Sequence, residues 1–482
     1  MWQSLTFRSR GARLMACVLG AYLLGLVVVT AAPARADGMT SGGDQSVAQS
    51  LGDRELTVIV RRAQPVPGPL SVDVVTHAGT APGTLTLTAA PTDRNGENSS
   101  TTVQLGDRPG PYPATLHVDH AGPWELTVSD GQRTARIPFL VAAQVVTPWE
   151  RAAYGGFFAA GALLLIALGT ALISRRGWVT LVPVVGLIIA LTVGATSAVL
   201  SSRAPQPRAA GSLLDPTSGN IGSPYPERDL PLTTTYSRPP ADLTVHARAT
   251  GQATELQLSL TDSATGRPVD DLLVADDALL HLMIVGPDGQ FWHRHPIRVA
   301  PGEFRLEFTP TAPGDYAVAA EIARRGGGVQ LLRSAIHLDA AAAPAPVLPA
   351  GSGSTTPPAT LTVDSPVAGT PATLTAALGG PANLQPWLGM LGHLIAVGPL
   401  PDNVPTGTAA ATAPIWAHAH AMAPLPSVGA QSPDETVAAY GPNVAFTFTF
   451  PLPGRYLVWA QAERGYTVLT VPATVDVRPE AP

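Results

Sequence analysis

The sequence of 482 residues contains no lysine, so all 29 of its basic residues are arginines. That absence removes lysine Schiff-base chemistry and the phosphate-cradling P-loop, whose lysine is part of the motif. There is one cysteine, Cys17, and it lies inside an N-terminal apolar run, which leaves no intrachain disulfide, cysteine–zinc or iron–sulfur site. Charge is scarce at 13 %, and its balance is acidic, with a formal net charge of −6. Nucleic acid is excluded as a partner on this basis, because phosphate binding needs a basic face. Neither a Gly-x-Ser-x-Gly elbow nor a His-Glu-x-x-His motif occurs, and the expectation is a protein that binds rather than an enzyme. What the chain does have is proline and glycine (49 and 47) and eleven histidines.

Three apolar runs organise the first half. Residues 1–36 read as a signal peptide: Arg8, Arg10 and Arg13 precede an apolar stretch from Leu14 to Ala32, and Ala34-Arg35-Ala36 offers small residues at a cleavage spacing before Asp37,. Left uncleaved, the same segment would serve as an anchor. Ala152 to Ile173 and Trp178 to Leu200 carry no charge, and each reaches the roughly 20 residues that a helix needs to cross a hydrocarbon core. The short connection containing Arg175 and Arg176 makes them an antiparallel hairpin. The positive-inside bias places that dibasic turn in the cytoplasm. The expected setting is a bacterial-type cell membrane, spanned twice, with the soluble domains on the extracytoplasmic side.

Those domains read as β. Leu56-Thr57-Val58-Ile59-Val60, Thr84-Leu85-Thr86-Leu87-Thr88 and Trp124-Glu125-Leu126-Thr127-Val128 alternate with period two and are separated by Pro, Gly, Asn and Asp clusters, the pattern of an immunoglobulin-like sandwich. The expected organisation is a first sandwich over 50–146, a Pro-rich linker over 201–240, a second sandwich over 241–340, a linker over 341–358 and a third sandwich over 359–482. The fold class is mainly β, three immunoglobulin-like sandwiches plus a two-helix transmembrane hairpin.

The second and third segments repeat each other. His281-Leu282-Met283-Ile284-Val285-Gly286-Pro287 and Trp292-His293-Arg294-His295 are echoed by His393-Leu394-Ile395-Ala396-Val397-Gly398-Pro399 and Trp416-Ala417-His418-Ala419-His420. Downstream, Pro313-Gly314-Asp315-Tyr316 matches Pro453-Gly454-Arg455-Tyr456, with Glu321 and Gln461 each five residues beyond the tyrosine. The third segment differs by insertions from Leu400 to Ile415 and from Ala421 to Tyr440.

In a strand, residues two apart project from one face, so His293 points with His295, and His418 with His420. A turn at Gly286 to Gly289 folds the strand opened by His281 back beside His293 and His295. Three imidazoles on one sheet face can hold Cu(II) or Zn(II). Met283, Met390 and Met422 are near enough in sequence to be considered as softer ligands. The candidate metal ligands are therefore His281, His293, His295, His393, His418 and His420, as two sites separated by a linker or as one six-histidine centre across a domain interface. A polar packing network and a partner-binding surface are the other readings of the same histidines. The aromatic alternations are expected in the sandwich cores. His77, His117, His120, His246 and His337 have no repeat partners and are taken as structural.

The Gly-His-Leu-x-x-Val, His-x-His and Pro-Gly-x-Tyr pattern resembles the YtkA-like domain family of bacterial extracytoplasmic β-sandwiches. The first segment, with Gly110-Pro111-Tyr112-Pro113-Ala114 and Gly122-Pro123-Trp124-Glu125-Leu126, resembles it too, and that family is related in fold to CopC-like copper-resistance proteins. The resemblance implies an immunoglobulin-like sandwich and handling of copper or another metal. CopC-like proteins use a histidine at the mature N-terminus, whereas Asp37-Gly38-Met39 stands here, so that site does not transfer to the first domain. The expectation is a membrane-anchored protein whose paired domains bind a transition metal. The alternative is an envelope scaffold that binds a protein partner and no metal.

Overall fold

A computed structural model describes residues 44–61, 66–93, 96–141, 148–174, 176–202, 240–251, 253–325, 327–339, 359–423 and 434–480. The expected signal peptide lies outside the described residues, as do almost all of both expected linkers and Arg175 of the helical turn.

The chain is mainly β, as expected. The first sandwich has eight strands: β1 (Gln45–Leu51), β2 (Arg54–Val60), β3 (Gly68–Thr76), β4 (Gly83–Pro91), β5 (Ser99–Leu105), β6 (Gly110–Val118), β7 (Gly122–Ser129) and β8 (Thr134–Val141). They form two antiparallel sheets, ordered β1-β2-β3-β6 and β5-β4-β7-β8. Leu85, Leu87, Trp124, Leu126 and Val128 point into the core while their threonine and glutamate neighbours stay partly exposed, which is the alternation the sequence shows. β1 begins five residues before the expected boundary, because Gln45-Ser46-Val47-Ala48-Gln49-Ser50-Leu51 has no clean alternation to reveal it.

Two helices follow, α1 (Pro148–Ile173) and α2 (Gly177–Ser202). Each has 26 residues and a mean hydropathy above 2. At 1.5 Å per residue each is about 39 Å long, more than a hydrocarbon core requires. Phe158, Leu165, Leu172, Ile173 and Trp178 are exposed on their outer faces, as lipid-facing residues are and core residues of a soluble bundle are not. The helices meet along small residues: a Cβ on Gly156 would lie 2.7 Å from the Gly194 Cα, the close approach that membrane helix pairs favour.

The second sandwich comprises β9 (Ala241–Thr250), β10 (Ala253–Asp262), β11 (Leu272–Leu273), β12 (His281–Val285), β13 (Phe291–Arg294), β14 (Ile297–Ala300), β15 (Glu303–Phe308), β16 (Gly314–Arg324) and β17 (Gly328–Leu338). The third comprises β18 (Thr360–Val363), β19 (Pro371–Ala377), β20 (Leu384–Gln385), β21 (Gly392–Gly398), a short helix α3 (Thr406–Thr412), β22 (Ile415–Ala421), β23 (Asn443–Thr449), β24 (Gly454–Arg464) and β25 (Thr467–Val477). Their topologies correspond. β16 pairs with β17, β11 and β12, and β12 with β13; likewise β24 pairs with β25, β20 and β21, and β21 with β22. The Pro-Gly-x-Tyr motif is a tyrosine corner in both: Tyr316 donates to the Ala312 carbonyl (2.6 Å) and Tyr456 to the Leu452 carbonyl (2.9 Å),. Tyr112 makes the same bond to Arg108 in the first sandwich.

The two repeats dock sheet against sheet. In β12, Leu282 and Ile284 enter their own sandwich core, while Met283 and Val285 face outward into a second apolar layer. That layer also holds Phe291, Ile395, Val397, Trp416 and Trp459, with Phe291 stacked on Trp459 at 4.6 Å. Phe291, Trp416 and Trp459 thus pack between the domains rather than in a sandwich core. Nor do the tryptophans preceding the histidines correspond. Trp292 lies opposite Ile284 and packs in its sandwich, whereas Trp416 lies opposite Val397 and packs between domains. Histidines, not tryptophans, set the structural alignment. The insertion from Leu400 to Ile415 carries α3, which docks on the second sandwich; Thr408 donates to the Asp315 carboxylate (2.8 Å).

Candidate metal centre

His281 opens β12 and pairs across the ladder with Glu321 of β16; β13 places His293 opposite Met283 and hands His295 to the next turn. In the third sandwich β21 and β22 place His393 opposite His420 and Ile395 opposite His418. Period two then turns all six imidazoles toward the layer between the domains. In each triplet one ring nitrogen per histidine lies within 4.8 Å of the other two. The triplets are not far apart: His281 and His418 have ring centroids 5.4 Å apart, His293 and His418 5.1 Å, and His293 and His393 5.7 Å. These separations match those inside each triplet, so the linker does not separate the two sets and the six rings form one cluster.

Hydrogen bonds fix the tautomers. His281 donates through Nε2 to the Ala275 carbonyl (3.0 Å), and His393 through Nε2 to the Trp387 carbonyl (3.0 Å). His293 donates through Nδ1 to Gln461 Oε1 (2.9 Å), and His418 through Nδ1 to Glu321 Oε1 (3.2 Å). Each of the last two bonds crosses from one domain to the other, with Glu321 and Gln461 exchanging places. The opposite nitrogen of each ring therefore carries a lone pair. His281 Nδ1 faces His293 Nε2 at 3.3 Å, and His393 Nδ1 faces His418 Nε2 at 3.1 Å. His420 Nε2 lies 3.2 Å from His418 Nε2, and His295 Nε2 is buried with no hydrogen-bond partner among the described residues.

Lone pairs that face one another at such distances repel unless a cation stands between them. A proton is disfavoured as that cation. Burial, reinforced by the neighbouring imidazoles, holds His293, His295, His393 and His418 well below the ordinary histidine value. Burial also lowers His281. Two nitrogens bound to one tetrahedral zinc at about 2.0–2.1 Å lie about 3.3 Å apart, close to the observed spacing. The outer hydrogen bonds to carbonyl, amide and carboxylate oxygens are those that orient metal-bound imidazoles.

Trp387 closes one side, its ring 5.4 Å from His293 and 4.9 Å from His393. The first sandwich covers it further: Ala48 packs on Trp387, and the Ser50 amide donates to the His295 carbonyl (2.7 Å). His420 is the most exposed of the six, with Asp276 3.9 Å from its Nε2. Of the methionines, Met283 is buried in the interdomain layer, Met390 is half-buried and Met422 is exposed.

A further cluster was not anticipated from the sequence. His77 of the first sandwich is buried against Glu435 and Glu463 of the third, and their ligand atoms also lie within 4.8 Å of one another. Burial opposes charge on His77, but the two carboxylates outweigh it and its pKa is raised to about 9. Burial pushes Glu435 up to about 8 against the pull of His77. The remaining structural histidines are peripheral; His337, for example, pairs with Asp315 at the surface.

The profile of a domain of unknown function, DUF8832, matches residues 356–479. No curated protein matches the chain. Solved structures similar to it include a tetra-tandem repeat from the extending region of a large adhesion protein (11 % identity, 90 % of this chain and 74 % of that one, TM-score 0.15). The FN1–FN3 domains of chicken CNTN1 match at 8 % identity over 91 % of this chain and 100 % of that one, TM-score 0.15. A membrane-anchored protein from Corynebacterium diphtheriae matches at 9 % identity over 88 % and 92 %, TM-score 0.15.

Proposed function

We propose that this is a membrane-anchored, extracytoplasmic metal-binding protein, whose second and third sandwiches together hold Cu(II) or Zn(II) through His281, His293, His295, His393, His418 and His420. The observation that carries the reading is the facing lone pairs: the outer hydrogen bonds commit the protons of four rings elsewhere, which leaves nitrogens directed at each other across 3.1–3.3 Å. The centre would be shared between domains, since Gln461 orients a histidine of the second and Glu321 one of the third. The YtkA-like resemblance of the same segments, with its link to copper-handling sandwiches, supports the metal class. Two charge-free helices with exposed apolar faces support the anchor, and the dibasic turn supports the outward placement of the domains. The reading is one of binding, with no catalytic step assigned.

The experiment is metal analysis of the full chain in detergent, stripped with a chelator and dialysed against CuSO4 or ZnCl2. Retained metal that falls in both His293→Ala and His418→Ala is the expected result. A parent chain that retains no metal, or whose retained metal neither substitution lowers, overturns the proposal in favour of a scaffold whose histidines serve packing between domains.

A further inference from the structure

We propose that His77, Glu435 and Glu463 form a separate site for a divalent cation of the zinc type, which pins the first sandwich to the third. The three residues come from parts of the chain 386 residues apart, and all are at least nine-tenths buried, with Glu463 wholly so. His77 Nδ1 lies 2.7 Å from Glu463 Oε1, and His77 Nε2 lies 3.7 Å from Glu435 Oε2. Thr57 donates to Glu435 Oε1 (2.9 Å), and its oxygen lies 3.1 Å from His77 Nε2. The remaining carboxylate oxygens, Glu435 Oε2 and Glu463 Oε2, are buried with no hydrogen-bond partner among the described residues. Two buried carboxylates whose outer oxygens lack donors are a costly arrangement unless a cation satisfies them. A single imidazolium balances one of them and leaves Glu435 to hold a proton, in keeping with its raised pKa; a dication would balance both as carboxylates and take the imidazole as a neutral ligand.

The donor set is one imidazole and two carboxylates, harder than the six-imidazole cluster and suited to Zn(II) or neighbouring divalent ions. The surroundings point to a structural role. Beside the cluster the domains are already joined by backbone: the Ala78 amide donates to the Tyr466 carbonyl (2.7 Å). All three ligands are buried in a domain interface, so an ion there would tie the two sandwiches together; three protein ligands leave the fourth tetrahedral position to water or to the second oxygen of a carboxylate.

The test uses the full chain in detergent, stripped with a chelator and equilibrated with ZnCl2. Glu463→Gln and Glu435→Gln preserve side-chain shape while removing the charge, and each is expected to lose one zinc per chain and to retain the zinc held by the six histidines. An unchanged zinc count in both folded variants overturns the proposal. Crystals of the parent soaked in ZnCl2 give a readout that does not depend on how the variants fold. An anomalous peak among His77, Glu435 and Glu463 supports the site, and its absence under saturating zinc overturns it. Peaks at the six histidines are scored independently, so failure of the two readings is distinguishable.

Discussion

Glu321 and Gln461 occupy equivalent positions in the two repeats, and each reaches out of its own domain to hold the Nδ1 proton of a histidine in the other. Replacing either by alanine frees that ring to rotate, and loss of such an outer partner typically weakens metal binding by about 10–100-fold. Titration of the full chain with Cu(II) should show this loss for Glu321→Ala and for Gln461→Ala, and unchanged affinity in both would contradict the assigned roles. The same imidazoles make the metal-free protein acid-sensitive. In the folded state His293, His295, His393 and His418 are held well below their ordinary value, chiefly by burial. The unfolded chain takes up protons there near about 6.5. Below that pH the unfolded state binds more protons, so stability is full above about 6.5 and falls as pH drops. Denaturant midpoints measured in chelator from neutral pH downward should decrease through this range, and a midpoint that rises on acidification would refute the effect.

At the scale of elements, α3 is seated by a contact that admits no side chain. A Cβ on Gly407 would lie 1.8 Å from the Asp315 carbonyl oxygen, backbone that has no flexible end to move aside. Gly407→Ala should therefore push α3 off the second sandwich, at a cost of about 1–3 kcal/mol if the helix shifts as an overpacked core does. Thermal unfolding of the full chain should show it as a lowered midpoint, and a midpoint equal to the parent's would mean that α3 is not held there. The elements also show where the sequence was informative. The His-x-His spacing and the paired turn strands sufficed to place three imidazoles on one face in each repeat. The docking of the repeats had a signal as well. Leu282-Met283-Ile284-Val285 and Leu394-Ile395-Ala396-Val397 are unbroken apolar runs, the mark of strands covered on both faces, whereas β10, β15 and β23 alternate and are covered on one. The one-residue offset between Trp292 and Trp416 had none, because only the ladder register shows which face a residue takes. His77 was equally silent: its partners lie in a different domain, and one of them, Glu435, lies in an insertion with no counterpart in the second repeat.

At the scale of the whole molecule, the first sandwich precedes the two membrane-competent helices and the other two follow them, yet they touch. Ala48 donates to the Asp277 carbonyl, Arg294 pairs with Glu55 (3.1 Å) and Arg133 with Glu307 (2.7 Å). Domains in contact share a compartment, so on the proposed anchoring the helices between them would cross the membrane an even number of times, as a two-helix hairpin does. Proteolysis of intact and of opened cells should then treat the 50–146 region and the 241–482 region alike. Protection of one with cleavage of the other under the same condition would rule the hairpin out.

The span of 386 residues between His77 and Glu463 also has a consequence in time. A polypeptide emerging from the N-terminus onward presents His77 well before it completes β24, which carries Gln461 and Glu463. The His77 cluster does not exist in a nascent chain that stops short of that strand, and the six histidines then lack the outer partner Gln461. On the proposed reading, an ion at His77 would be taken up only once that strand is in place, and would seal a completed fold rather than nucleate it.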